Sequence, residues 1–313
     1  MDYVSLGKGG PKVSAIGLGM WQAGGKAWGA DVSDDDCVAA MHRAHELGVT
    51  LIDTAEGYGA GHSEEVVGRA VREIGRDNVF VATKVAGSHL RPEYVPRACD
   101  ASLKRLGISE IDLYQIHFPD PWDQQPLKET MRALERLWIE GKVRHLGVSN
   151  FAVRDLEEAR AALSRTDIVE DQVYYSLLHR TVEAELVPYC KREGIALLAW
   201  SPLDKGLLTG KFAPGRKPED EVRSGGKSFR DGNLAEIGRL VAVLRAVGGK
   251  LGKTPGQVAL NWLTRQPGTV VPIPGAKRPG QVEENAGAAG WGLTDDEMRV
   301  VSEASTSLNL DLF

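Results

Sequence analysis

Eight short apolar runs, each set off by a segment of helical periodicity, leave this chain few architectures to choose from. The runs are VSAIGLG from Val13, TLIDTA from Thr50, VFVATKV from Val79 and DLYQIHF from Asp112. HLGVSN from His145, DIVEDQV from Asp167, IALLAWS from Ile195 and TVVPIPG from Thr269 complete the set. Each is rich in Val, Ile, Leu or aromatic residues and too short for a buried helix, so each is expected to be a strand. The first segment between them, SDDDCVAAMHRAHELG, opens on Ser33 as N-cap, has three aspartates in its first turn and stops at Gly48. SEEVVGRAVREIG, RPEYVPRACDASLKRLG, PLKETMRALERLWIEGK, VRDLEEARAALS and TVEAELVPYCKREG follow, with a last one near PGQVEENAGAAG. A helix is expected after every strand. Eight such units point to an α/β fold of the (β/α)8 (TIM) barrel type, although an open doubly wound sheet fits the same count.

The repeat is interrupted once. Between the seventh and eighth runs lies a long gap, about Asp204 to Lys253, with a helix of its own near Leu234 to Gly249. On a barrel, an insertion there lies over the C-terminal mouth, where a lid or clasp belongs. The leading YVSLGKGGPKVSAIG reads as a β-hairpin turning at Gly9-Gly10, and LTDDEMRVVSEAS reads as an extra C-terminal helix. With no linker and no low-complexity stretch, residues 1–313 are taken as one domain.

Charge and cysteine usage narrow the partners. Net charge is −5 with no long run of either sign, which argues against nucleic acid or an anionic membrane as the main partner and leaves room for a local basic patch that binds a phosphate. The opening MDYVSLGKGG has no apolar signal core, and no run of about 18 apolar residues occurs. Cys37, Cys99 and Cys190 are odd in number and widely spaced. They are expected to be buried and inert, to form no metal motif and to suit the cytoplasm. Oligomeric state is not legible.

The stretch LIDTAEGYGAGHSEEVVGR, Leu51 to Arg69, fits neither common glycine fingerprint. Gly57, Gly59 and Gly61 lead on to His62 or Glu64 rather than to a third spaced glycine, and no Gly-Lys-Ser/Thr is present. A barrel supplies its meaning, because active sites there gather at the C-terminal ends of the strands. The successive ends are Asp53, Lys84, His117, Ser149-Asn150, Gln172 and Trp200-Ser201, with Tyr58 on the loop after the second. A carboxylate, an ammonium, an imidazole and a phenol on one rim suit proton transfer to a carbonyl. A free phenol ionises near pH 10, about three units too high for easy exchange at neutrality. Lys84 is expected to lower that value, Asp53 to keep Lys84 charged and His117 to orient the reacting oxygen. No strong nucleophile accompanies them, so a hydride must come from a cofactor.

These residues resemble those of the aldo-keto reductase superfamily. DTAEGYGAGHSEEVVGRA, LYQIHFPDP, GKVRHLGVSNF, SPLDKGLLTGKF and IPGAKRPGQVEEN match its motifs in order, from VSAIGLGMWQ onward. HFPDP and GLLTGKF resemble the bacterial general-stress-protein-like members. The resemblance implies a (β/α)8 barrel that binds NADP(H) in extended form and reduces aldehydes and ketones. Tyr58 takes the general acid/base position, Lys84 and Asp53 tune it, and His117 orients the carbonyl. Ser149, Asn150 and Gln172 match the residues that hold the nicotinamide carboxamide, and Trp200 the aromatic that stacks on its ring. Ser201, Pro202, Leu203, Gly206 and Lys211 match the pyrophosphate loop. Gly275, Lys277, Gln281, Glu284 and Asn285 match the adenosine end.

The chain departs from the pattern around the 2′-phosphate. Gly275, Ala276 and Gln281 stand where many vertebrate-type members carry Lys-Ser and an arginine, so Lys277 and Arg278 are expected to take over. NADPH is the expected cofactor, with NADH use left open. Trp21 and Phe118 are expected to wall the substrate pocket, with Trp28 and Trp122 on loops at the same rim. His42, His45 and Glu46 lack the partners of a metal motif and read as a solvated helix face. Arg216 to Arg223 is a charged loop read as solvated, with a clasp on the cofactor as the alternative. Two other functions fit parts of the pattern: an aldolase using Lys84 as a Schiff-base nucleophile, and a cofactor-bearing regulatory module like the potassium-channel β-subunits.

Overall fold

The computed structural model describes residues 1–29, 32–120 and 124–311; Trp122, one of the expected rim aromatics, lies outside them. A hairpin comes first, β1 (Tyr3–Ser5) and β2 (Lys12–Ser14), paired antiparallel with Val4 opposite Val13. Eight parallel strands follow: β3 (Leu18–Gly19), β4 (Leu51–Asp53), β5 (Phe80–Val85), β6 (Ile111–Ile116), β7 (Val143–Ser149), β8 (Ile168–Tyr174), β9 (Ala196–Trp200) and β10 (Val270–Pro272). Each pairs with the next in chain order.

The sheet closes on itself. A parallel bridge joins Gly19 to Gly275, and the amides of Gly17 and Gly19 donate to the carbonyls of Pro272 and Pro274 at 2.9 and 3.2 Å. Closure decides between the barrel and the open sheet that the strand count allowed. It also corrects the first expected strand. VSAIGLG is not one strand: Val13 and Ser14 belong to the hairpin, and only Leu18–Gly19 joins the barrel. A side chain at Gly17 would stand 2.8 Å from Ile273 Cγ2, and one at Gly19 2.9 Å from the Ile273 carbonyl. The seam therefore forms where the run has no side chains.

The helices pack outside: α1 (Asp34–Glu46), α2 (His62–Ile74), α3 (Val95–Leu106), α4 (Leu127–Ile139), α5 (Val153–Ala162) and α6 (Leu186–Glu193). After β9 come the short α7 (Glu221–Ser224), the insertion helix α8 (Asp231–Leu251) and α9 (Pro255–Thr264); α10 (Pro279–Ala286) and α11 (Asp295–Thr306) complete the chain. Ser33 caps α1 as expected, its hydroxyl accepting from the Asp36 amide. The helix α9 was not singled out in the sequence, although Thr254 and Gln257 form a capping box ahead of an apolar VALNWL.

Apolar side chains fill two layers. Leu51, Ala82, Leu113, Leu198 and Val271 fill the barrel interior, and Leu6 and Val13 of the hairpin join them. A larger cluster lies between strands and helices. The hairpin also meets the strand-entry end of the barrel, where the Lys8 amide donates to the Gly194 carbonyl at 2.6 Å. With that end covered, the strand C-termini carry the open mouth. No described helix is long and apolar enough to cross a membrane.

Candidate active site

At the C-terminal mouth lies a groove of about 990 Å³, at the upper end for small-molecule sites. Asp53, Tyr58 and His117 line it, as does every residue expected to touch the cofactor, from Ser149 to Asn285, except Arg278. Lys84 lies beneath its floor, fully buried.

The geometry is built around that lysine. Its ammonium donates to Asp53 Oδ1 at 2.6 Å, to the Thr54 carbonyl at 2.8 Å and to the Tyr58 hydroxyl at 3.3 Å. The second Asp53 oxygen accepts from Gln172 at 2.8 Å and Gln115 at 3.4 Å, and Gln172 also donates to Gln115. Burial alone would drive the Lys84 proton off. The charge of Asp53, the Tyr58 hydroxyl and the hydrogen bonds to both outweigh it, and the net shift is upward. The ammonium is therefore held charged. Glu170, deeper in the barrel with neither oxygen bonded, is pushed well above the usual carboxylate range by burial and by Asp171 and Asp53, against the pull of Lys84.

Tyr58 corrects an expectation. Lys84 does pull its phenol down, but burial, with a smaller push from Asp53, exceeds that pull and the net shift is upward. Removing water from a phenolate is the larger effect here. Tyr58 is thus a protonated acid at neutral pH, with a cation already placed beside the oxygen that gains charge when the proton leaves. The imidazole of His117 packs edge-on to the Tyr58 ring at 5.6 Å. Burial, reinforced by Lys84, pushes its pKa down to about 3, so it is neutral and can donate one hydrogen bond without carrying charge.

The glycines of the opening stretch have a steric purpose. Gly59 has φ +59°, and a β-carbon there would stand 2.0 Å from the carbonyl oxygen of Gly24. The loops after β3 and β4 thus touch backbone to backbone, which fixes Tyr58 against Trp21, its ring 6.1 Å away. Trp21 and Phe118 are 41% and 49% exposed, apolar surface open at the mouth. Trp28 packs edge-on to Trp21 at 4.9 Å and lines the same groove.

On the opposite wall, Trp200 donates to Asn150 Oδ1 at 3.1 Å, and Asn150 donates to Ser149 Oγ and the His117 carbonyl at 2.9 and 3.1 Å. The amide hydrogens of Asn150 and Gln172 are thus engaged within the protein. The Ser149 hydroxyl is engaged too, donating to the Gln172 carbonyl at 2.7 Å.

The groove continues over a cationic stretch. Burial and the neighbouring Arg223 and Lys277, against Asp220, hold Lys211 below its usual pKa. Three cations crowded along one groove fit an anionic ligand such as a dinucleotide. Of the two readings of 216–223, the solvated loop does not hold for Arg223, whose guanidinium lies over Phe212 and Trp28 at 5.5 and 5.7 Å. Only a tertiary contact decides between them. Of the two residues expected at the 2′-phosphate, Lys277 lines the groove, whereas Arg278 approaches Asp36 on α1 at 3.8 Å. His42 pairs with Glu73 at 2.8 Å. The cysteines are buried and free, their thiols pushed by burial to about 11 for Cys37 and about 12 for Cys99 and Cys190.

The chain is similar to known proteins over nearly its whole length. The model of the Aldo/keto reductase family matches residues 15–306. The chain belongs to that family. Aldo-keto reductase YhdN of Bacillus subtilis is 35% identical, over 96% of this chain and 93% of its own. The NADH-specific methylglyoxal reductase of Escherichia coli is 32% identical, over 98% of this chain and 99% of its own. Among solved structures, an aldo/keto reductase from Klebsiella pneumoniae in complex with NADP and acetate superposes with a TM-score of 0.76 at 31% identity, covering 100% of both chains. This member of the aldo/keto reductase family thus shares its fold with a protein whose structure holds NADP.

Proposed function

We propose that this protein reduces aldehydes or ketones to alcohols, reversibly, with NADPH as co-substrate. The observation that carries the reading is the Lys84 ammonium, buried between Asp53 and the Tyr58 hydroxyl under an open groove. A nicotinamide dinucleotide bound in the groove supplies the hydride that these side chains lack.

Tyr58 gives its proton to the carbonyl oxygen, and Lys84 stabilises the phenolate left behind. His117, neutral, donates a hydrogen bond that holds the same oxygen in line. Asp53 keeps Lys84 charged and pointed. Trp200 provides a flat face for the nicotinamide, with Ser149, Asn150 and Gln172 at its edge. Ser201, Pro202, Leu203, Gly206 and Lys211 serve the pyrophosphate, and Gly275, Gln281, Glu284 and Asn285 the adenosine. Lys277 is the cation for the 2′-phosphate, which favours NADPH over the NADH that the E. coli relative's name specifies. Trp21 and Phe118 cover the apolar part of the substrate. The buried, free cysteines support a reducing compartment such as the cytoplasm.

The same geometry weighs against Schiff-base chemistry, which needs a neutral amine within reach of substrate. The Lys84 nitrogen is charged, buried and committed to three acceptors.

The test is a carbonyl panel, including aromatic aldehydes, sugar aldehydes and the 2-oxoaldehyde methylglyoxal, assayed with NADPH and NADH separately by loss of reduced-nicotinamide absorbance. Turnover with NADPH and recovery of the alcohol support the reading. Binding of the dinucleotide with no turnover on any carbonyl replaces it with the regulatory one.

A further inference from the structure

Behind the loop after β9 lies a hydrogen-bonded cluster that does not line the groove. Its centre is Asp204, buried with 3% of its side chain exposed. The Tyr174 hydroxyl donates to Asp204 Oδ1 at 2.6 Å, His179 Nε2 lies 3.3 Å from the same oxygen, and the Ser176 hydroxyl binds the other oxygen closely. Ser176 Oγ also accepts from the amides of Leu178 and His179 at 3.0 and 3.1 Å. The turn that follows β8 is therefore tied to the loop that follows β9.

Two features show what the tie holds. First, the loop it grips is conformationally expensive. Ser201, Asp204 and Lys205 have φ of 49°, 47° and 54°, a left-handed region that non-glycine residues enter only when their surroundings impose it. Leu203 and Lys205, on either side of Asp204, line the groove, whereas Asp204 turns away from it. Second, Tyr174 pairs in register with Trp200, and their rings stack at 4.2 Å and 20°. His179 stacks on the far face of Tyr174 at 3.9 Å. One phenol thus fixes the plane of Trp200 through its ring and the loop's backbone through its hydroxyl.

We propose that Tyr174 and Asp204 form a latch that holds Trp200 and the Ser201–Gly206 loop in their cofactor-binding arrangement before the cofactor arrives. The inference rests on reading the groove as a dinucleotide site. Neither residue touches the cofactor; both are positioning residues. Preorganised loops bind more tightly because less freedom is lost on binding, and the gain lies mainly in slower release.

The test compares the full-length protein with Tyr174→Phe, which keeps the stack and removes the hydroxyl, and with Asp204→Asn, which keeps the shape. NADPH affinity is measured by calorimetry, release by stopped flow, kcat at saturating NADPH, and Tm without cofactor. Both variants are expected to bind NADPH roughly tenfold more weakly, with faster release, undiminished kcat and a Tm within a few degrees of the parent. Asp204→Gly, which removes the carboxyl group but tolerates the left-handed backbone, should bind better than an Asp204→Ala protein. Unchanged affinity in both conservative variants overturns the latch. So does a loss of affinity that tracks equal losses of kcat and Tm, because that describes general destabilisation. A parent protein that binds neither NADPH nor NADH overturns the dinucleotide reading itself, an outcome distinct from the other two.

Discussion

The Lys84 ammonium stands 3.3 Å from the Tyr58 hydroxyl, with its opposite side anchored on Asp53 at 2.6 Å. Because all of this is buried, the charge interactions are strong and the removal of any member exposes the others.

Lys84→Met should lower kcat/KM by about 10² to 10⁴. It should also destabilise the fold by about 3–5 kcal/mol, since Asp53 is left as a buried, unpaired charge. Adding Asp53→Asn should restore much of the stability and none of the activity. Chemical unfolding and steady-state kinetics on the two single variants and the double variant check both claims.

The His117 value of about 3 makes two pH predictions. No change in kcat/KM near pH 6.5 should trace to His117, because it is already neutral there. Stability should fall as pH drops from about 6.5 toward 3, because the unfolded chain takes up a proton in that window that the folded chain refuses. His117→Gln should flatten that part of the stability curve in urea titrations across pH.

Gly59→Ala should be poorly tolerated. The added methyl would stand 2.0 Å from the Gly24 carbonyl at a φ of +59°, and relief requires Tyr58 to move. A loss of about 1–3 kcal/mol in stability is expected, with a fall in kcat much greater than any change in cofactor affinity. Equilibrium unfolding and kinetics with cofactor titration separate the two effects.

How much of this was legible beforehand follows from which interactions are local. The strand ends Asp53, Lys84 and His117 could be read because apolar runs mark strands and a barrel gathers their C-termini. The sense of the Tyr58 shift could not, because burial is a property of the assembled mouth and no neighbouring residue announces it. The seam of the barrel was misread because Val13 and Leu18 are equally strand-like, yet only contact with Ile273 decides which of them joins the sheet. Arg223 was ranked as solvated over clasping for the same reason: its partners Phe212 and Trp28 meet it only once the insertion folds across the mouth. The capping box of α9 was in plain sight at Thr254 and Gln257, and was masked only by the length of the gap.

Arg223 accordingly supplies its own prediction. Arg223→Ala should weaken NADPH binding about tenfold, the size of one lost charge-assisted contact, and should reduce the salt dependence of that binding. Calorimetric titrations at low and high ionic strength check it, with kcat at saturating cofactor expected to hold.

The most direct measurement is the kinetics of Tyr58→Phe, with NADPH affinity determined on the same preparation. Removing one hydroxyl leaves the ring against Trp21 and His117 and the groove intact. The account predicts that kcat/KM for the best carbonyl falls by about 10² to 10⁴ while NADPH affinity stays within about twofold. A variant that keeps more than a tenth of the parent's kcat/KM would contradict the assignment of Tyr58 as the proton donor.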